Sequence, residues 1–450
     1  MGIFYKFAIL LCKKEGMSIF IKNALLDNGR MCNILIEGDR ISSVTAIDGE
    51  ESSLVNADGT SLDGVTLIDA KGMRAISPFV NMHTHAGMTL FRGLSEDMPL
   101  EKWLADIWEG ERYLDRESIY WGTKLALLEM IKSGTATFAD MYWEPDVAAK
   151  AVVESGIRGA ISYCFLDGGD KEKAARQRDE CVQMYESLKG CSPLVSFVVS
   201  IHAHYTVCDE NMLWAADFAR KNGLKLHTHL SETRKENTDH LEKYGISPTR
   251  RLYEMGILGN DLIAAHSLWL DDNDIELYGR CGVTAVHNIN SNLKLSSGYR
   301  FRYNELRDAG ANVTIGTDGC GSSNSLDMLE AMKFAALTQK AWREDPSAMP
   351  VDQIYQIATV NGSKALGIDN GRIAPGAKGD VLLIDTRSTR FIPDYDFMAN
   401  LIYSANSSCV DTMICNGHVV MQGGKVEGEE QILAKASEHI EKFVKKIKKR

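Results

Sequence analysis

The chain has 450 residues, 44% of them hydrophobic and 25% charged, enough apolar material for a large globular core. Its net charge of −11 at pH 7 argues against nucleic acid or an anionic membrane as the main partner, because both would repel it. Ten cysteines are scattered without a Cys-x-x-Cys pair and no apolar run approaches the roughly 18 residues of a membrane span, so the sequence predicts a reduced, cytoplasmic protein.

Residues 1–16 read as an extension outside the fold. Short strands follow at Ser18–Lys22, Asn33–Glu37 and Arg40–Val44, punctuated by turns at Asn28-Gly29 and Gly38-Asp39. From Ala75 the texture changes to strands alternating with helices. Eight strands are expected, at Ala75–His83, Ala136–Met141, Arg158–Phe165, Leu194–His202, Leu224–Leu230, Leu262–His266, Val283–His287 and Val313–Thr317. Helical stretches such as Ser118–Lys132, Asp146–Ser155, Asn211–Asn222 and Ser325–Gln339 separate them. Alternation of this kind specifies a (β/α)8 barrel of the TIM type. The strand texture returns at Gly379–Ile384, Val410–Cys415, His418–Met421 and Gly423–Val426. Neither chain end buries a core alone, so residues 17–74 and 370–426 are expected to form one small β-sandwich beside a barrel of residues 75–369. Residues 427–450 form a C-terminal helix whose basic end, Lys445 to Arg450, is a solvated terminus.

In such a barrel, reactive side chains sit at the C-terminal ends of the strands. Most of the eleven histidines fall there. Strand one ends in His83-Thr84-His85, strand four at His202, strand five carries His227, His229 and Glu232, and strand six ends at His266. Strand eight ends in Thr317-Asp318-Gly319. Residues i and i+2 of a strand face the same way, so His83 and His85 both enter the barrel mouth. Two neutral imidazoles there can hold a borderline metal ion, with a third histidine and a carboxylate completing the set.

These residues carry a resemblance. The run Pro78-Phe79-Val80-Asn81-Met82-His83-Thr84-His85 resembles the first metal strand of the amidohydrolase superfamily. Met88 to Gly93, Trp103-Leu104, His229-Leu230-Ser231-Glu232, Ala264 to Ser267, Ser291 to Leu295 and Gly316 to Gly319 are similar to its methylthioadenosine/S-adenosylhomocysteine deaminase branch. Asn361-Gly362, Ala365 to Gly367 and Pro375 to Asp380 match that branch's return into the small domain, so the likeness runs from about Met17 to about Val426.

The resemblance implies one divalent ion per chain, zinc, held by His83, His85, His229 and Asp318. No lysine stands where binuclear relatives place a bridging carbamate, which favours one metal. His227 competes with His229, but the spacing of His229 to Glu232 is the family's. The implied activity is hydrolytic deamination of a 5'-modified adenosine to the inosine analogue and ammonia. Asp318 would take the proton of the attacking water, Glu232 would protonate the purine ring, and His266 would hydrogen-bond the nucleophile. His202 would contact the purine, Glu111 would accept the two ribose hydroxyls, and Trp103 would wall the pocket. The partner is thus a small nucleoside, with no nucleic acid and no membrane; a homo-oligomer is left open.

One position departs from the branch. Where relatives show an arginine at the end of strand three, this chain has Tyr163-Cys164, and a Tyr163 facing the pocket would favour an apolar 5' group. Arg158, at the start of that strand, is at the wrong end of the barrel and reads as structural, as does His204. The alternative is an aminohydrolase of a free base, pterin or triazine on the same scaffold; Glu111 separates the two, since a free base has no diol.

Overall fold

The computed structural model describes residues 18–47 and 64–448; the expected extension at residues 1–16 and the last residues of the basic run lie outside them. The chain opens with β1 (Ser18–Leu26), β2 (Met31–Glu37), β3 (Arg40–Ala46), β4 (Val65–Asp69) and β5 (Met73–Ile76). The turn between β1 and β2 forms because Asn28 accepts the Arg30 N–H through its side chain at 3.1 Å and Gly29 takes a left-handed φ of +79°. Ile19 and Ile21 point to one face, flank a Phe20 that is buried on the other, and pair with Ile36 and Ile34 of β2, forming one apolar layer. β1 also runs parallel to β4 and β5.

Eight parallel strands follow: β6 (Phe79–Thr84), β7 (Thr135–Asp140), β8 (Arg158–Phe165), β9 (Val195–Ala203), β10 (Lys225–Leu230), β11 (Leu262–His266), β12 (Thr284–His287) and β13 (Asn312–Ile315). They pair in sequence order. Side chains close the ring. Asn81 on β6 donates to Thr317 Oγ1 at 2.7 Å and accepts the Thr317 N–H at 3.0 Å, while the Asp318 N–H donates to the His83 carbonyl at 2.9 Å. Most barrel positions are buried on both faces, as parallel strands covered by helices require.

The chain then returns to the first sheet as β14 (Val381–Asp385), β15 (Val410–Cys415) and β16 (His418–Met421). β14 pairs antiparallel with β5, placing Leu383 against Ala75. The result is a separate mixed sheet built from both chain ends, with its own core of Ile19, Ile34, Ile36, Val381, Leu383 and Ile414.

Two expectations are corrected. The single strand expected at Ala75–His83 is two strands in two sheets, β5 and β6, and the chain crosses at Ser77-Pro78. Proline has no N–H for a ladder and keeps its predecessor extended, so the break falls there. Gly423–Val426 is not a strand: Gly423 and Gly424 take left-handed φ values of +59° and +68°, and a single bridge joins Gln422 to Lys425.

Two helices bear on the site. α1 (Leu100–Glu111), unforeseen in the sequence, buries Trp103, Ile107 and Gly110. α2 (Glu429–Lys448) ends the described chain, and its Phe443 packs edge-on against Phe91 at 5.0 Å, beside Gly110 of α1. The small sheet docks on the opposite end of the barrel. There Arg158, at the start of β8, forms a buried bidentate pair with Asp380 at 2.5 and 2.8 Å and donates to Asn416 Oδ1 at 3.2 Å. No described helix is long and apolar enough to cross a membrane.

Candidate metal and substrate site

The strand period brings the histidines together. His83 is the penultimate residue of β6 and His85 lies just past its end, two positions on, so both rings face the barrel mouth. His229 enters from β10 and Asp318 from the turn after β13. His85 Nε2 lies 3.4 Å from His229 Nε2 and 3.2 Å from Asp318 Oδ1, and His83 Nε2 lies 3.5 Å from the same oxygen. Ligands about 2.0–2.1 Å from a shared ion stand about 3.4 Å apart, and these three separations fall close to that value.

Each imidazole is turned by its other nitrogen. His229 Nδ1–H donates to the His202 carbonyl at 2.7 Å, and His85 Nδ1–H donates to the Met141 carbonyl. His83 Nδ1 lies 3.0 Å from His227 Nε2. For His229 and His85 this leaves the Nε2 lone pair pointing inward, the tautomer a metal needs. His83 Nε2 is buried without a hydrogen-bond partner, an atom the protein itself leaves unsatisfied. His227 meets the back of His83 rather than the common point. His83, His229 and His266 also converge, but the acidic oxygen belongs to the set containing His85 and Asp318.

Electrostatics favour a cation here. Burial pushes the His83 ring down to about 4 and His229 well below the usual imidazole range, so both stay neutral. Burial works to raise the Asp318 carboxyl, but His83 and His85 outweigh it and hold the group ionised. Burial opposes a proton on His85 as well, yet Asp318 overcomes it and lifts that ring to about 9. The cluster therefore has a carboxylate needing positive charge, which a divalent ion supplies while all three rings remain neutral donors.

A cavity opens onto these groups. His85, His229 and Asp318 reach it, with His83 buried behind them. Every other expected site residue lines it: Glu232, His266, Glu111, His202 and Trp103. Burial pushes Glu232 up to about 7, and its Oε2 lies 3.7 Å from His266 Nε2. His266 Nδ1 is held by Asn292 Oδ1 at 2.9 Å. His202 is kept neutral by burial, pushed down to about 3, and its Nδ1 lies 2.9 Å from Thr206 Oγ1. Glu111, at the end of α1, is raised by burial, with the Trp143 and Tyr142 side chains beside it working the other way.

The backbone at this end is strained. Ser231, His266, Ser267 and Asp318 have φ of +53°, +69°, +48° and +65°, left-handed values for residues with a Cβ. Each costs about 1–3 kcal/mol and persists where surrounding contacts over-determine it, as at functional sites.

One expectation fails. Tyr163 does not line the cavity; its hydroxyl donates to Glu180 Oε2 at 2.7 Å on the helix outside β8, and Cys164 faces inward instead. The alternation of a strand decides this, and the same alternation was readable in the sequence. Asn292, Tyr142, Trp143 and Trp108 were missed. Asn292 lies in a stretch noted only for likeness, and the aromatics come from loops and from the unforeseen α1.

Residues 76–420 match the model of the amidohydrolase family. The chain is 42% identical to the 5'-deoxyadenosine deaminase of Methanoregula boonei, over 82% of this chain and 84% of that protein. It is 39% identical to 5-methylthioadenosine/S-adenosylhomocysteine deaminase 1 of Archaeoglobus fulgidus, over 93% and 98% of the two chains. Its fold is similar to that of an adenosine deaminase from Xanthomonas campestris with bound zinc, with a TM-score of 0.84, 28% identity and coverage of 95% and 98%.

Proposed function

This chain belongs to the amidohydrolase family, and we propose that it is a hydrolytic deaminase of 5'-modified adenosines that works with one zinc ion on His83, His85, His229 and Asp318. One observation carries the reading: a single cavity joins His85, His229 and Asp318, with His83 behind them, to Glu232, His266 and Glu111. The deaminase relatives, alike over most of both chains, support the nucleoside class.

When bound, the ion lowers the pKa of a water from about 15.7 to about 7 and so supplies hydroxide at neutral pH. Asp318 receives the proton that water loses. Attack at the amino-bearing carbon drives charge onto the ring, and Glu232, with its carboxyl pushed up to about 7, protonates the adjacent ring nitrogen. The proton held by Asp318 then passes to the amino group, the C–N bond breaks as ammonia leaves, and the hydroxyl proton returns to Glu232 as the carbonyl forms. Because Asn292 fixes a proton on His266 Nδ1, the Nε2 lone pair accepts from the O–H of the nucleophile and orients it for attack. His202 meets the purine and Trp103 walls the pocket. Glu111 offers two acceptor oxygens to the vicinal ribose hydroxyls, which a free base or a triazine would leave unanswered.

No lysine or arginine is among the described residues lining the cavity. A methylthio or 5'-deoxy end fits such walls; a homocysteine carboxylate would meet Glu111 and apolar rings without a cation.

The test is ammonia release by the zinc-loaded protein from 5'-deoxyadenosine, methylthioadenosine, S-adenosylhomocysteine, adenosine, guanine, cytosine and hydantoin. The expected result is turnover of the nucleosides to inosine-type products. Ammonia from a free base alone would overturn the reading.

A further inference from the structure

Glu232 sits on an unusual piece of backbone. It follows Ser231, whose left-handed φ of +53° bends the chain as it leaves β10, and it precedes Thr233, the N-cap of the helix Arg234–Tyr244. Thr233 caps in the ordinary way, its side chain accepting the Glu236 N–H at 3.0 Å. In the usual reciprocal arrangement the glutamate at that third helical position would reach back to the N–H of the cap residue itself.

Glu236 reaches further. Its Oε2 accepts the Glu232 N–H at 2.7 Å and its Oε1 accepts the Ser231 N–H at 2.9 Å. A third donor comes from a different strand end: His204, one residue past β9, places Nε2 3.1 Å from Oε1. Both side chains are nearly buried, at 6% and 5% exposure. The carboxylate is thus committed to holding two consecutive amides and one imidazole.

The same peptide is gripped from the other side. The Ser231 carbonyl accepts the Leu268 and Trp269 N–H groups at 3.0 and 2.9 Å, just beyond the strained His266-Ser267 pair. Bonds on both faces are what keep a residue with a Cβ in a left-handed conformation. Glu236 does not line the substrate cavity; with His204 it lines the neighbouring groove. Its direct link to the cavity is the Glu232 N–H that it holds.

We propose that Glu236, braced by His204, is a positioning residue that clamps the Ser231–Glu232 backbone and so aims the Glu232 carboxyl into the cavity. This rests on the deaminase reading for its kinetic consequence but not for the clamp itself. In Glu236→Gln one acceptor oxygen becomes an amide donor facing groups that are themselves donors. Ser231 is then free to relax toward negative φ, carrying the Glu232 side chain off its line.

Because small misplacements of a proton donor are costly, kcat of the zinc-loaded Glu236→Gln variant should fall about 10–100-fold, with KM within about threefold and zinc content unchanged. The decisive readout is a double-mutant cycle. In a Glu232→Gln background, Glu236→Gln should cost less than about threefold more, because a clamp has no consequence once the group it aims is disabled. Losses that multiply in full would show a general structural role and overturn the proposal. If Glu236→Gln does not fold, His204→Gln replaces it, with a fall of about 3–10-fold and the same silence in the Glu232→Gln background.

Amide hydrogen exchange tests the clamp without turnover. A peptide spanning residues 229–233 should exchange faster in the variant than in the parent, and unchanged exchange would overturn the proposal whatever the substrate. A parent protein that releases no ammonia from any nucleoside, yet shows the faster exchange in Glu236→Gln, would sink the deaminase reading and leave the clamp standing.

Discussion

The barrel buries one carboxylate cluster at each end, and the two are built in opposite ways. At the end facing the small sheet, Asp380 is answered completely: Arg158 binds it through two nitrogens, Asn370 donates at 3.0 Å, and the Asn416 N–H donates at 2.7 Å. At the mouth, Asp318 faces His83, which burial keeps neutral and whose Nε2 has no hydrogen-bond partner, and His85, whose charge depends on Asp318 itself, on backbone held at positive φ. The first cluster closes its own charge and holds two parts of the chain together. The second is arranged to be completed by something else.

The sharpest way to break this contrast is to remove each carboxylate. Asp318→Ala or His229→Ala should lose the bound metal and abolish turnover while the fold persists, and elemental analysis of the parent should find about one divalent ion per chain. Two tightly bound ions would refute the four-residue set. Asp380→Ala should do the reverse. Left without its partner, the buried Arg158 guanidinium should cost about 3–5 kcal/mol in urea unfolding, with metal content of the folded fraction unchanged.

A smaller effect is expected in the cavity wall. Methylthioadenosine and 5'-deoxyadenosine should exceed S-adenosylhomocysteine in kcat/KM by about tenfold, and Cys164→Arg should shift the ratio toward S-adenosylhomocysteine by up to about 2 kcal/mol. Tyr163→Arg should not, since that side chain points away. A parent enzyme already preferring S-adenosylhomocysteine would show that a cation reaches the tail from the adjoining groove, where Lys235 and Lys243 lie.

The smallest effect concerns another buried carboxylate, one that has neither cation nor metal. Burial, with Asp271 adding to it against a Ser247 hydrogen bond, lifts Asp274 from its ordinary 3.8 to about 6. A raised acid binds protons in the folded state that the unfolded chain has released, so stability falls as pH rises from about 4 to about 6 and the cost is full above that. Asp274→Asn removes the charge and keeps the oxygen that accepts the Asp271 N–H. It should therefore stabilise by about 1 kcal/mol at pH 7–8, with the gain vanishing toward pH 4. A gain that is equal at both pH values would mean that the carboxyl is solvated.

Much of this molecule is written in local pattern. β8, β11, β15 and β16 fall where period and composition put them, because a strand's residue types and its bounding turns are fixed within a few residues. The pairing of His83 with His85 needs only a period of two. The placing of Cys164 rather than Tyr163 in the cavity follows the same rule, though register against neighbours fixes which face is inner. The β5–β6 boundary is harder, since the run is apolar throughout and the change of sheet is a matter of partners. α1 is harder still: its buried face is set by Phe91 and by Phe443, far along the chain.

The sequence alone determined the alternating barrel, the strand ends that carry the histidines and acids, and the residue types able to hold a metal and move a proton. Local spacing suffices for those, because side-chain direction along a strand is a property of the strand. Tertiary structure decided which nitrogen of each imidazole is free, that His227 backs His83 instead of joining the ligand set, and that Glu236 turns back on Ser231 and Glu232. Those outcomes depend on groups from β6, β9, β10 and β13 meeting within hydrogen-bond reach. That proximity arises only when the sheet closes, and no span of sequence contains it.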